Sequence, residues 1–221
     1  MGAPHLVRFE MWVRRICAAR GSYFPPKQSL GGAPFFVPMR VTLSVMSPAF
    51  AIESISAQSS SDSITEAREM LLEYGRFVMA AEGLSEHWFA KLEGEARGLP
   101  EFFAGHGGAM LVARVDGLAA GCVTYRALPD IAGGCEMKRL WVRDEFRGLG
   151  LGERLVQALM ESAADAGYEA VYCDTIPASM GSAYRMYLRL GFVACEPYHP
   201  DFMEGMVFLR QELKQGAGAG V

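Results

Sequence analysis

From Phe50 onward the apolar positions fall into short runs whose period switches between two and about 3.6, the signatures of half-buried strands and amphipathic helices. Residues 50–56, Phe-Ala-Ile-Glu-Ser-Ile-Ser, alternate loosely and predict a first strand, followed by a polar loop at 59–62. Ala67, Met70, Leu71, Tyr74, Phe77 and Val78 recur at three- and four-residue steps, which predicts a helix over 64–81 capped by Asp62 or Ser63. A second helix over 85–96 presents Trp88, Phe89 and Leu92 on one side, and Gly98-Leu99-Pro100 ends it. Two strands, 109–115 and 119–126, flank the hairpin pair Asp116-Gly117, and a loop through Gly133-Gly134 leads to a fourth strand, 135–142. A third helix begins at Leu151, with Leu155, Val156, Leu159, Ala163 and Ala166 on its inner face, and Gly167 stops it. Residues 169–175 form a short apolar run suited to a central strand. A fourth helix, 179–190, carries Ala183, Met186, Tyr187 and Leu190 on one stripe and ends at Gly191. Strands at 192–195 and 203–213 close the order β-α-α-β-β-β-α-β-α-β-β, without internal repeat.

Ahead of this domain, residues 1–47 show no clean period and are broken by Pro25-Pro26, Gly31-Gly32, Pro34 and Pro38. They are expected to be a disordered leader, or sequence upstream of a start at Met39 or Met46. An organelle transit peptide, whose amphipathic helix the Pro and Gly clusters would interrupt, and a secretory signal at 40–51, with a short apolar part broken by Pro48, are the competing readings. The division expected is therefore a leader over 1–47, one domain over 48–214, and a flexible Gly/Ala tail over 215–221.

Charge separates the same segments. The chain carries −4 overall, yet residues 1–47 hold six basic residues and one acid, Glu10, for +5, leaving 15 basic and 24 acidic residues, or −9, in 48–221. An acidic domain is a poor partner for nucleic acid, because phosphate neutralisation dominates that affinity. Five cysteines (Cys17, Cys122, Cys135, Cys173, Cys195) are an odd number without a C-x-x-C pair and suggest buried free thiols of a reducing compartment, the cytoplasm. No apolar run approaches the ~20 residues of a membrane span, and no cluster has metal-ligand spacing.

Chemistry concentrates at Arg147-Gly148-Leu149-Gly150-Leu151-Gly152, where a strand turns into a helix. Glycines let the backbone approach a ligand closely, and the helix start turns unpaired N–H groups and its positive dipole end toward the same point. This predicts an anion site suited to phosphate. A Walker loop is excluded because Glu153-Arg154 follow Gly152, and a dinucleotide fingerprint lacks its third glycine at Glu153.

The corner Arg147-x-x-Gly150-x-Gly152 resembles motif A of the GCN5-related N-acetyltransferases. Asp144-Glu-Phe-Arg147-Gly resembles that family's turn, with Asp144 where proline is usual, and Met186-Tyr-Leu-Arg-Leu-Gly-Phe192 resembles its Leu-Tyr-x-x-Leu-Gly-Phe signature. Met180 stands where many members carry a cofactor-binding asparagine. The resemblance implies an α/β (α+β) fold with a mixed, mostly antiparallel sheet of about seven strands, splayed between strands 4 and 5 and flanked by about four helices.

It further implies that acetyl-CoA is the cofactor. Arg147, Gly148, Leu149, Gly150, Leu151 and Gly152 would hold its pyrophosphate, while Leu140, Trp141 and Val142 would offer main-chain groups to its pantetheine arm. Glu136 falls where the family often has a base acting on the amine, and Tyr187 aligns with its proton donor to the departing sulfur. Strand alternation would put Glu136, Lys138, Leu140 and Val142 on one face, so a structural ion pair between Glu136 and Lys138 competes with the base role. Tyr198, His199 and Asp201, in the loop before the last strand, are candidates for the pocket of the acceptor, a small-molecule primary amine. A non-catalytic acyl-CoA sensor and a longer acyl group are the alternatives, and a homodimer is left open.

Overall fold

The computed structural model describes residues 48–214; the expectations for the leader, the tail and Cys17 lie outside the described residues. Seven strands form one sheet in the order β1-β2-β3-β4-β5-β7-β6. They are β1 (Phe50–Ile55), β2 (Ala109–Val115), β3 (Leu118–Ala127), β4 (Gly134–Val142), β5 (Ala170–Thr175), β6 (Val193–Ala194) and β7 (Val207–Glu212). The helices are α1 (Ser61–Glu82), α2 (Glu86–Arg97), α3 (Glu101–Gly105), α4 (Leu151–Asp165) and α5 (Pro177–Arg189). Every neighbouring pair of strands is antiparallel except β4 and β5, which run parallel.

That parallel pair opens the site. Its register joins Gly134, Cys135 and Glu136 to Ala170, Val171 and Tyr172 and stops there. Beyond this point the two strands diverge, so their remaining backbone groups face a cleft.

Helix α1 starts a turn earlier than the periodicity suggested, because Ser60, and neither Asp62 nor Ser63, is the cap: its side chain accepts a hydrogen bond from the Ser63 amide. Gly83 ends the helix in the left-handed conformation, with φ 62°. Ala67, Met70 and Leu71 of α1 are fully buried against Met110 and Val112 of β2 and Cys122 of β3. Phe77, on the same periodic stripe, is 39% exposed because its edge of the helix meets the cleft. Gly75 is the point of closest approach between α1 and α2, since a Cβ there would lie 2.2 Å from Leu92 and 2.8 Å from Phe89. The single turn α3, unforeseen in sequence, is too short to display a period.

Strand β4 departs from simple alternation. Thr124 pairs with Lys138 but Cys122 pairs with Trp141, so β4 carries one extra residue, and Arg139 takes φ +60°. The bulge reverses the expected faces downstream. Trp141 packs onto the α1 side, against the cluster containing Met70 and Cys122, while Val142 lies on the α4 side beside Gly121 and Leu155. A non-glycine residue in this conformation costs about 1–2 kcal/mol. The offset is visible: the Arg139 guanidinium donates to both Glu95 carboxylate oxygens at 2.8 and 3.0 Å and lies over the Trp88 and Tyr74 rings.

Helix α5 is kinked at Met180 (φ −114°, ψ 35°) and buries Met186 and Tyr187. Ala183, expected inside, instead lines the cleft. Strand β6 is only two residues long, and its Val193 is 58% exposed.

Candidate active site

A cleft of about 580 Å³ occupies the opening between β4 and β5. Its floor and walls come from residues 137–142 of β4, the corner at 146–148 and 150–153, Asp174 and Thr175 of β5, and Met186 and Tyr187 of α5. Leu140, Trp141, Val142, Arg147, Gly148, Gly150, Leu151 and Gly152 all line it; Leu149 does not.

At the corner, Gly148 and Gly150 adopt φ +85° and +75°, where a side chain is strained. A Cβ at either would meet nothing within 4 Å, so conformation and not crowding calls for glycine. Gly150 caps α4 without any side-chain hydrogen bond, which leaves the amides of the first turn uncovered at the cleft. Glu153 brings a negative charge to this turn, countered by Arg189 at 3.6 Å. Arg147 is held from three directions. It pairs with Asp144 at 2.8 Å, donates to the Val142 carbonyl at 3.1 Å, and lies 5.0 Å from the Trp141 ring centre. Asp144, the departure from the usual proline, thus orients the arginine of the corner. These features fit the pyrophosphate of a coenzyme A: uncapped amides, backbone without side-chain cover and a fixed guanidinium.

At the inner end, Tyr187 is 6% exposed and lines the cleft. Burial, with Cys173, Tyr74 and Asp174 nearby, pushes its phenol well above the ordinary value of 10.0. It therefore stays protonated at neutral pH and is competent to donate.

Glu136 occupies a different setting. It is 1% exposed and lies behind the cleft lining. Its Oε1 is 2.7 Å from the Lys138 ammonium, and its Oε2 accepts from the Arg126 guanidinium at 3.0 and 3.1 Å. Burial opposes its ionisation, but Lys138 and Arg126 outweigh that and hold it below the usual carboxylate range. The ion pair with Lys138 therefore competes directly with work as a base.

The loop before β7 folds back onto this group. His199 Nε2 comes within 3.6 Å of Asp174 and 3.9 Å of Glu136. The His199 ring packs on Phe208, with centroids 5.0 Å apart, and neither ring nitrogen has a hydrogen-bond partner. Burial, with Asp174 and Glu136 close by, pushes the Tyr198 phenol far up. Tyr198 also lines a second cavity, of about 1050 Å³, together with Tyr172 and Arg210. Asp201 is exposed and, among the described residues, no ion pair joins it to this cluster. Ligand atoms of Glu136, Asp174 and His199 lie within 4.8 Å of one another, spacing that the sequence did not reveal; the Lys138 ammonium already supplies positive charge there.

Sequence reasoning missed Asp174, whose carboxylate lies 3.8 Å from the Lys138 ammonium. The available signal was a lone acid near the carboxyl end of an otherwise apolar central strand, where open α/β sheets place their ligands.

A mixed sheet opened at one parallel pair, with a glycine corner and a buried phenol on the same cleft, defines a binding site for a phosphate-bearing ligand. The family model for "Acetyltransferase (GNAT) family" matches residues 67–192, more than half of the chain. The chain belongs to that family. It is 39% identical over 109 residues to an uncharacterized N-acetyltransferase of Schizosaccharomyces pombe, an alignment spanning 49% of this chain and 66% of that relative. A GNAT acetyltransferase of Staphylococcus aureus superposes with TM-score 0.59 at 16% identity, covering 75% of this chain and 100% of that one. A putative acetyltransferase from Salmonella typhimurium, solved with its cofactor acetyl-CoA, gives TM-score 0.52 at 18% identity, over 77% and 97% of the two chains.

Proposed function

We propose that this domain transfers the acetyl group of acetyl-CoA to a primary amine of a small molecule by direct attack. The supporting observation is the continuous cleft from the uncapped corner at Gly150 to the buried phenol of Tyr187. Bound there, acetyl-CoA supplies an activated acyl group.

Residues of the chain carry the rest. The amides of 151–153 and the Arg147 guanidinium hold the pyrophosphate, and the opened edge of β4 at 140–142 hydrogen-bonds the pantetheine arm. The acceptor ammonium is drawn to the carboxylate of Asp174, which lines the cleft, with buried Glu136 behind it. Glu136 acts there as a fixed negative charge, and Tyr187 gives a proton to the departing sulfur. Holding both reactants at the inner end of one cleft removes the entropy of their encounter. The four described cysteines are free thiols, which supports a reducing compartment, the cytoplasm.

Calorimetric titration with acetyl-CoA, paired with thiol release across a panel of amino acids, polyamines, aminoglycosides and peptide N-termini, tests this reading. Binding with amine-dependent release is the expected result. Absence of acetyl-CoA binding overturns it.

A further inference from the structure

The cationic side chains lining the cleft are Lys138, Arg139, Arg147 and Arg189. Three of them have close partners. Lys138 lies 2.7 Å from Glu136, Arg139 is paired with Glu95 at 2.8 Å, and Arg147 with Asp144 at 2.8 Å. Arg189 differs: its ion pair with Glu153 stands at 3.6 Å, beyond hydrogen-bond length, and its side chain is 64% exposed. We propose that Arg189 binds the 3′-phosphate on the ribose of coenzyme A, so that this chain distinguishes the cofactor from the form lacking that phosphate. This rests on the coenzyme A reading of the cleft and adds a residue that selects the cofactor.

Position is the first argument. Arg189 belongs to the last turn of α5. It follows by one turn Met186, whose sulfur would lie 3.5 Å from a Cβ at Gly152. Its partner Glu153 belongs to the first turn of α4, the helix that Gly150 caps without a side-chain hydrogen bond. The guanidinium therefore stands over the helix start that takes the pyrophosphate, and reaches it from α5, whereas Arg147 comes from the corner itself. A pyrophosphate joins pantetheine on one side to the ribose on the other. With pantetheine running inward along β4, the ribose lies toward the mouth, where Arg189 is exposed.

Charge is the second. The amides of 151–153 and Arg147 answer the two phosphates of the pyrophosphate, and a third phosphate, the ribose monoester, remains. Such a monoester carries a charge near −2 at neutral pH, on oxygens that accept hydrogen bonds strongly. Glu153 adds a negative charge to the same turn, so a bound monoester requires a cation between the two. A planar guanidinium has five N–H donors and can meet phosphate oxygens with one edge while keeping the carboxylate on another. An exposed pair as loose as Arg189 with Glu153 contributes little, so little is lost when the phosphate draws the guanidinium away. A cation at the carboxyl end of α5 also favours the helix, but that effect is indifferent to the 3′-phosphate.

Calorimetric titration of the full chain with coenzyme A and with 3′-dephospho-coenzyme A, at low ionic strength, tests the assignment. Wild-type protein is expected to bind coenzyme A about tenfold more tightly than the dephospho form, the scale of a charge-assisted contact to an exposed phosphate. Arg189→Gln should weaken coenzyme A by about tenfold and the dephospho form by less than about twofold, bringing the ratio near one. Arg185→Gln, on the same helix but outside the cleft lining, should keep the wild-type ratio. Equal affinity of wild-type protein for the two ligands, equal loss of both in Arg189→Gln, or a ratio abolished by Arg185→Gln and kept by Arg189→Gln, overturns the assignment. Wild-type protein that binds neither ligand strikes the underlying reading of the cleft instead.

Discussion

The Lys138 ammonium lies 2.7 Å from Oε1 of Glu136, two residues earlier on the same strand. Strand alternation brings such a pair to one face, and at this point the face borders the cleft. The consequence is a buried carboxylate whose charge is matched within the protein before any acceptor arrives.

Removing that match should be costly. Lys138→Met leaves Glu136 with Arg126 alone, and loss of a charge-assisted contact to a buried carboxylate is expected to destabilise the domain by about 2 kcal/mol. Denaturant unfolding at neutral pH reads this directly. An unchanged midpoint would show that the pair is not maintained in solution.

The same pair sets a pH dependence. Glu136 has a depressed folded pKa relative to its ordinary 4.5. Its contribution is therefore fully present above about 4.5 and is lost as pH falls through the lower folded value. Glu136→Gln should flatten the acid limb of a stability-versus-pH curve below pH ~4.5. Parallel limbs in both proteins would place the acid sensitivity elsewhere.

Tyr187→Phe tests the proton donor. Turnover should fall about a hundredfold, the usual scale of one acid–base group, while acetyl-CoA affinity changes less than about threefold. Calorimetry and thiol release on one preparation separate the two effects. Unaltered turnover would remove Tyr187 from the chemistry.

Gly150 offers a graded pair of variants. Gly150→Ala adds a Cβ with open space around it but in a left-handed conformation (φ +75°), so it should cost about 1 kcal/mol of stability and keep measurable acetyl-CoA binding. Gly150→Glu places bulk and negative charge over the uncapped amides and should abolish binding. Tight binding by the glutamate variant would mean that the corner does not hold the phosphates.

Arg139 and Glu95 should behave as a coupled unit. Either single change to alanine leaves its partner buried without a counter-charge and is expected to cost about 3 kcal/mol. The double variant should cost clearly less than the sum, and additivity in a double-mutant cycle would deny the coupling.

What was legible along the chain was whatever local physics writes there. Alternating and helical periods located the seven strands and the longer helices, because each element buries one face. The glycine corner was legible because positive φ at Gly148 and Gly150 restricts residue choice on the spot. Tyr187 stood out through its place in a signature and on an apolar stripe.

Tertiary structure decided the remainder, for reasons that no local window contains. The Arg139 guanidinium, at the bulge, is met by Glu95, 44 residues earlier in the chain. That bulge sends Trp141 toward α1 and Val142 toward α4, so simple alternation misassigned their faces. Asp174, Glu136 and His199 are separated widely in sequence and meet because β4 and β5 part just where the loop before β7 returns. The sequence by itself determined a glycine corner and the fold that presents it. Only long-range packing determined which carboxylate is paired with Lys138 and Arg126 and which imidazole is enclosed without a hydrogen bond.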